Sequence, residues 1–297
     1  MLASQKVMTR KLPRLVAAFA ISLAGCAQMR HVDNIEHIHN LGRLLESNPS
    51  DKTSLTELAR YLTDPNPALR AQATSVAGNL GTKRSEILGS VLVPLLTEKL
   101  EDNEHLVRRY AVKGLGQYGR VAEAAVQPLI RVLREYKTED SSWLAADVLG
   151  DLGPVASSAV PELIKSLEEK GPEGSIHEFT MQKSAGRALS KISPLDLGAT
   201  TQLRTRLHIL AGEASLYVAF AILKSQPRDP EGTRAVAAVI TSQTDAASVA
   251  LREIGRMPDA LFDVKVLLPA LERASKSNDS YIRDLSSKLF SRFTKAT

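Results

Sequence analysis

Few residues of this 297-residue chain have types and spacings suited to covalent chemistry. The single cysteine, Cys26, can neither close an internal disulfide nor join a cysteine cluster for zinc. His31, His37 and His39 fall beside Asp33 and Glu36, residue types that bind zinc. His37 and His39 are two apart, however, and leave a helix on different sides, so a solvated polar face is the simpler reading and no metal is assigned. Gly114-Leu115-Gly116-Gln117-Tyr118-Gly119 satisfies the dinucleotide pattern G-x-G-x-x-G. That pattern needs a strand before it and a helix after it, whereas Tyr110 to Lys113 reads as helix, and the last two glycines recur elsewhere without the first. Gly78-Asn79-Leu80-Gly81-Thr82-Lys83 lacks P-loop spacing, and neither G-x-S-x-G nor H-E-x-x-H occurs. Neighbouring carboxylates such as Glu168-Glu169 lie in charged helix ends, where solvation accounts for them. The chain therefore reads as a non-enzyme with no catalytic residue, no metal and no cofactor.

The setting of Cys26 points to an address. Residues 1–25 hold Lys6, Arg10, Lys11 and Arg14, no acid, and then the apolar run from Leu15 to Leu23 broken only by Ser22. This is the basic and hydrophobic order of a secretory signal, and the run is shorter than the ~20 residues a spanning helix needs. It ends in Leu23-Ala24-Gly25-Cys26, which resembles the lipobox of bacterial lipoprotein precursors. The resemblance implies cleavage between Gly25 and Cys26, acylation of Cys26 and a lipid-anchored protein on a bacterial cell membrane. Ala27, rather than an aspartate, follows the cysteine, which in the Gram-negative members of that family points to the outer membrane, facing the periplasm. Loss of residues 1–25 removes four basic residues and lowers the net charge from +5 to +1, with 34 Lys plus Arg against 33 Asp plus Glu. The warrant for a nucleic-acid partner goes with it.

The remainder repeats. The segment from Gly116 to Val126 aligns with that from Gly150 to Val160 at an offset of 34 residues, the match running on into Leu129-Ile130 and Leu163-Ile164. Gly78 and Gly81 anticipate the pairs Gly116/Gly119 and Gly150/Gly153. Each unit reads as two helices. The first follows an Asp or Asn able to cap it, as in Asp64-Pro65-Asn66-Pro67, and a glycine that accepts positive φ ends it. The second carries an early proline, at Pro128, Pro161 and Pro269. Asp102 precedes Arg108 by six residues as Asp64 precedes Arg70. A period in the thirties without strand signals marks a helical solenoid, and these motifs resemble HEAT repeats, in particular the bacterial PBS-lyase HEAT-like form. The expected fold is an all-α, right-handed α-solenoid. Its organisation is a signal at 1–25, a short tether at 26–34 and one array at 35–297, of about seven to eight helix pairs and strongest at 64–167. A final helix opening near Asp279-Ser280 should close it.

With chemistry set aside, surface remains. In HEAT arrays the second helices line the concave face, so Arg131, Arg134 and Lys165 are candidates for a shallow basic strip facing an acidic partner. Arg70 and Arg108, with Asp64 and Asp102, are expected to tie neighbouring repeats together. Trp143 is expected in the core. These features predict a non-enzymatic, membrane-tethered scaffold that binds protein or peptide partners in the bacterial envelope. Two alternatives stand beside it. One is a phycobilin-lyase-like or other ligand-handling activity, implied by the resemblance but in conflict with export. The other is an envelope-glycan binder, which would need aromatic platforms that 4% aromatic content hardly supplies.

Overall fold

The computed structural model describes residues 33–83, 86–137, 139–168, 176–242 and 244–295. Gly25, Cys26, His31, the expected signal at 1–25 and most of the expected tether at 26–34 lie outside them. Helix α1 covers 33–47. It is followed by α2 (Lys52–Leu62), α3 (Pro67–Asn79), α4 (Glu86–Glu98), α5 (His105–Tyr118), α6 (Val126–Glu135), α7 (Asp140–Leu152), α8 (Val160–Ser166), α9 (Ile176–Ile192), α10 (Leu197–Arg206), α11 (Gly212–Ser225), α12 (Pro230–Ile240), α13 (Asp245–Arg256), α14 (Val264–Ala274) and α15 (Ser280–Lys295). Among the described residues there is no strand.

Odd-numbered helices stack in one row, α3 on α5, α5 on α7, α7 on α9 and α9 on α11, while the even-numbered helices form the other row. The fold is an all-α solenoid. Each helix shows the reason in its own sequence. In α6 the residues Val126, Leu129, Ile130 and Leu133 are buried, while Gln127, Arg131 and Arg134 stay exposed, a stripe at helical spacing. Each buried Leu or Ile contributes about 1.5–3 kcal/mol, and most of that burial is against the neighbouring layers. Trp143 is partly buried and packs against this core.

Caps follow the expected chemistry with one change. Asn66 Oδ1 accepts from Ala68 N (3.0 Å) at the start of α3, and Pro67 takes the first helical position. Gly119 and Gly153 end α5 and α7 with φ of +55° and +71°, as a helix-stopping glycine should. Gly78, Gly116 and Gly150 do not stop helices; they lie inside α3, α5 and α7, where neighbouring helices press closest. A Cβ on Gly150 would stand 2.7 Å from Ala188 Cα, and one on Gly116 would stand 2.9 Å from Val148 Cγ2. Gly81 likewise lacks positive φ and abuts Tyr118. Two constraints, close helix packing and left-handed backbone, thus share one glycine pattern.

Candidate interaction surface

Two lines of polar side chains cross the array. The first runs along the loops between repeats. Arg70 Nη1 donates to the carbonyls of Asp64 (2.8 Å) and Pro65 (3.1 Å), and its Nε and Nη2 donate to the Asp102 carboxylate of the next repeat (2.9 and 3.0 Å). Arg108 repeats the arrangement. Its Nη1 donates to the carbonyls of Asp102 (2.6 Å) and Asn103 (2.9 Å), and its other nitrogens reach the Glu139 carboxylate. Its guanidinium carbon sits 4.4 Å from the centre of the Tyr136 ring. Both arginines reach from one repeat to the next, and the carboxylates they meet come from the following repeat. Asp64 supplies only its carbonyl to Arg70, and its side chain accepts from Asn66 N (2.8 Å). Asp102 serves two rungs at once, its carboxylate to Arg70 and its carbonyl to Arg108. Burial opposes ionisation of Asp102, yet hydrogen bonds from Arg70 and Glu104 N outweigh it and hold the carboxyl below its ordinary value. Further along the chain, in the other row, α10 carries Arg204, which donates to Asp229 (2.7 and 3.0 Å) and to Gln226.

The second line crosses the even-numbered helices. Arg131 pairs with Glu101 (2.9 Å), Arg134 with Glu162 (3.3 Å) and Lys165 also with Glu162 (3.6 Å). The three candidate cations are therefore matched by carboxylates and do not form a bare basic strip. Exposed pairs of this kind add little stability, about 0–1 kcal/mol each. Large apolar residues stand exposed in the same row, Ile87 and Val91 on α4 and Leu197 on α10, with Ile209 just past the end of α10. Between α8 and α10 a cleft of about 570 Å³ has Val160, Pro161, Ile164, Ile192 and Leu195 in its wall. Of the histidines near the tether, His37 pairs with Glu57 (3.1 Å) and lies edge-on to Tyr61, while His39 is exposed.

Glu139, Tyr136, Arg204 and Asp229 escaped the sequence reading. The carboxylates had a usable signal, since Asp102 and Glu139 stand 32 and 31 residues beyond the arginines they bind. Tyr136 had none, because its ring reaches Arg108 only once α5 and α6 have folded back on each other.

One stretch of the chain also matches a known repeat. Residues 107–135, from α5 to the end of α6, match the PBS lyase HEAT-like repeat. No curated protein sequence matches the chain. Among solved structures, an engineered protein is similar with a TM-score of 0.55 at 17% identity, over 88% of this chain and 74% of that one. The complex of CpcE and CpcF of phycocyanin lyase from Nostoc sp. PCC7120 gives 0.50 at 21% identity, over 80% of this chain and 93% of that one. The archaeal HEAT-like repeats protein from Thermococcus onnurineus NA1 gives 0.48 at 15% identity, over 89% and 97%. At these identities the likeness is one of fold, a solenoid of HEAT-like helix pairs.

Proposed function

We propose that the chain is a non-enzymatic adaptor, anchored through acylated Cys26 to a bacterial cell membrane, that binds a protein or peptide along its even-numbered helices. The observation that carries the binding half is that row, where Ile87, Val91 and Leu197 stand exposed on α4 and α10 and α6 carries Arg131 and Arg134 in satisfied charge pairs. Covering exposed apolar side chains with another macromolecule is favourable, and polar groups around them suit the rim of an interface. The anchoring half rests on the sequence from Lys6 to Cys26. Each buried acyl methylene contributes about 0.8 kcal/mol, so two or more chains hold a protein stably on a bilayer, and confinement there raises the effective concentration of the bound partner.

The test is affinity capture from detergent-solubilised membranes, comparing the wild-type chain with Cys26→Ser. Expected is membrane fractionation of the wild type, release of the variant, and a partner in near-equal amount with the anchored form. A wild-type chain recovered free of membranes removes the anchor. An anchored chain recovered without a partner removes the adaptor.

A further inference from the structure

Arg70 and Arg108 hold one position of their repeats, four residues after Asn66 and Glu104 at the caps of α3 and α5. Each fills the crevice between its own loop and the next. In α13 the cap is Thr244, and the residue four further on is Ser248. Ser248 Oγ donates to the Asp245 carbonyl of its own helix (2.8 Å) and, among the described residues, bridges to no neighbouring loop. The crevice between this helix start and the loop before α15 stays open as a cavity of about 560 Å³, with Thr244, Asp245 and Ser248 on one side and Arg273, Lys276 and Asp279 on the other. Asp279 occupies the cap position of its helix, as Glu139 does in the crevice filled by Arg108. Lys276 is matched by Glu272 (3.1 Å), and the carboxylates of Asp245 and Asp279 line the crevice together with the exposed Arg273.

We propose that this crevice is a guanidinium site, which takes an arginine side chain of a partner peptide where the chain's own repeats place Arg70 and Arg108. Two occupied crevices in the same molecule show the chemistry, with loop carbonyls on one side and a carboxylate of the following loop on the other. The α13 layer keeps an open crevice and the cap carboxylate of Asp279, and carries Ser248 where the other two carry arginine. Bidentate recognition by a carboxylate selects guanidinium over ammonium. The site deepens the adaptor reading and rests on it for the source of the arginine.

The test is calorimetric titration of the full chain with N-acetyl-arginine amide and, separately, with the neutral citrulline amide of the same shape. Expected is saturable binding of the arginine compound and at least tenfold weaker binding of citrulline. Ser248→Arg supplies the missing rung from within; it should raise Tm and abolish the binding. Asp279→Asn keeps a capping oxygen for α15 and should weaken binding at least tenfold, a result that decides the matter even where Ser248→Arg fails to fold. Absence of saturable heat, equal binding of both compounds, or full binding by folded Ser248→Arg overturns the site. A partner captured equally by wild type and Ser248→Arg also removes the site while leaving the adaptor; arginine binding without any captured partner keeps the site and removes the adaptor.

Discussion

Gly78 and Gly114 show how much one hydrogen atom can decide. A Cβ on Gly78 would lie 2.6 Å from Gly114 Cα, and one on Gly114 would lie 2.7 Å from Gly78 Cα. The obstacle is backbone, which no rotamer change removes, so α3 and α5 would have to separate. Gly78→Ala and Gly114→Ala should each destabilise by about 1–3 kcal/mol, read as a lower denaturant midpoint at constant slope. Gly255 is the control. Its Cβ would meet nothing within 4 Å, so Gly255→Ala should stabilise by about 0.5 kcal/mol or more by restricting the unfolded chain. The G-x-G-x-x-G string at 114–119 was legible as something other than a nucleotide loop, because helix precedes it. That its glycines serve Gly78, Val148 and a positive-φ turn in succession was not legible, since the first two depend on which helix lies opposite.

At the scale of the element, the arginine rungs couple each repeat to the next. Asp102→Asn removes a charge from a side chain only 8% exposed and should cost about 1–2 kcal/mol at neutral pH. The sign of its pH dependence follows from the shift. The folded-state pKa lies below the ordinary 3.8, so the contribution is complete above the unfolded value, near pH 4, and disappears as pH falls through the folded one. The wild-type and Asp102→Asn stability curves should therefore differ by a constant amount at neutral pH and converge in acid, as followed by urea unfolding. Glu139→Ala leaves the buried Arg108 guanidinium without its carboxylate but with the carbonyls of Asp102 and Asn103 and the Tyr136 ring. A cost of about 2 kcal/mol is expected, below the ~3–5 of a fully orphaned buried charge, and Tm would record it. Arg70, Arg108 and the six-residue spacing were visible in the sequence; the donor of each carboxylate lay one repeat further on than the spacing suggested.

Across the whole molecule, α11 is the wall shared by two apolar cores. Val218, Ala221 and Ile222 face the core that begins at Ile38, while Leu216, Phe220 and Leu223 face the one that ends at Phe293. A helix apolar on nearly all sides has to be buried on all sides, and α11 is covered from Ala214 to Leu223 except at Tyr217. The second core is closed by α15, where Arg292 Nη2 pairs with Asp259 (2.5 Å) and its guanidinium also donates to the carbonyls of Ile254, Gly255 and Met257, and Phe293 meets Phe262 edge-on at 5.9 Å. Phe220→Ala should cost about 3–5 kcal/mol. Because solenoids are joined through neighbours alone, hydrogen exchange should quicken more in α12 to α15 than in α3 to α7. Uniform acceleration along the chain would mean that the two cores unfold as one unit.

The sequence by itself determined the class of fold, the repeat spacing, several helix starts and the closing helix, because these depend on apolar spacing, prolines and cap residues within each repeat. It also supplied the grounds for expecting an anchor at Cys26. Tertiary structure decided which glycines let helices approach closely, which carboxylate each arginine reaches and that Arg131, Arg134 and Lys165 are matched by Glu101 and Glu162. It alone revealed the open crevice at Ser248. The physical reason is shared: apart from the pair of Lys165 with Glu162 within α8, each depends on groups from separate helices or loops that approach only when the layers stack.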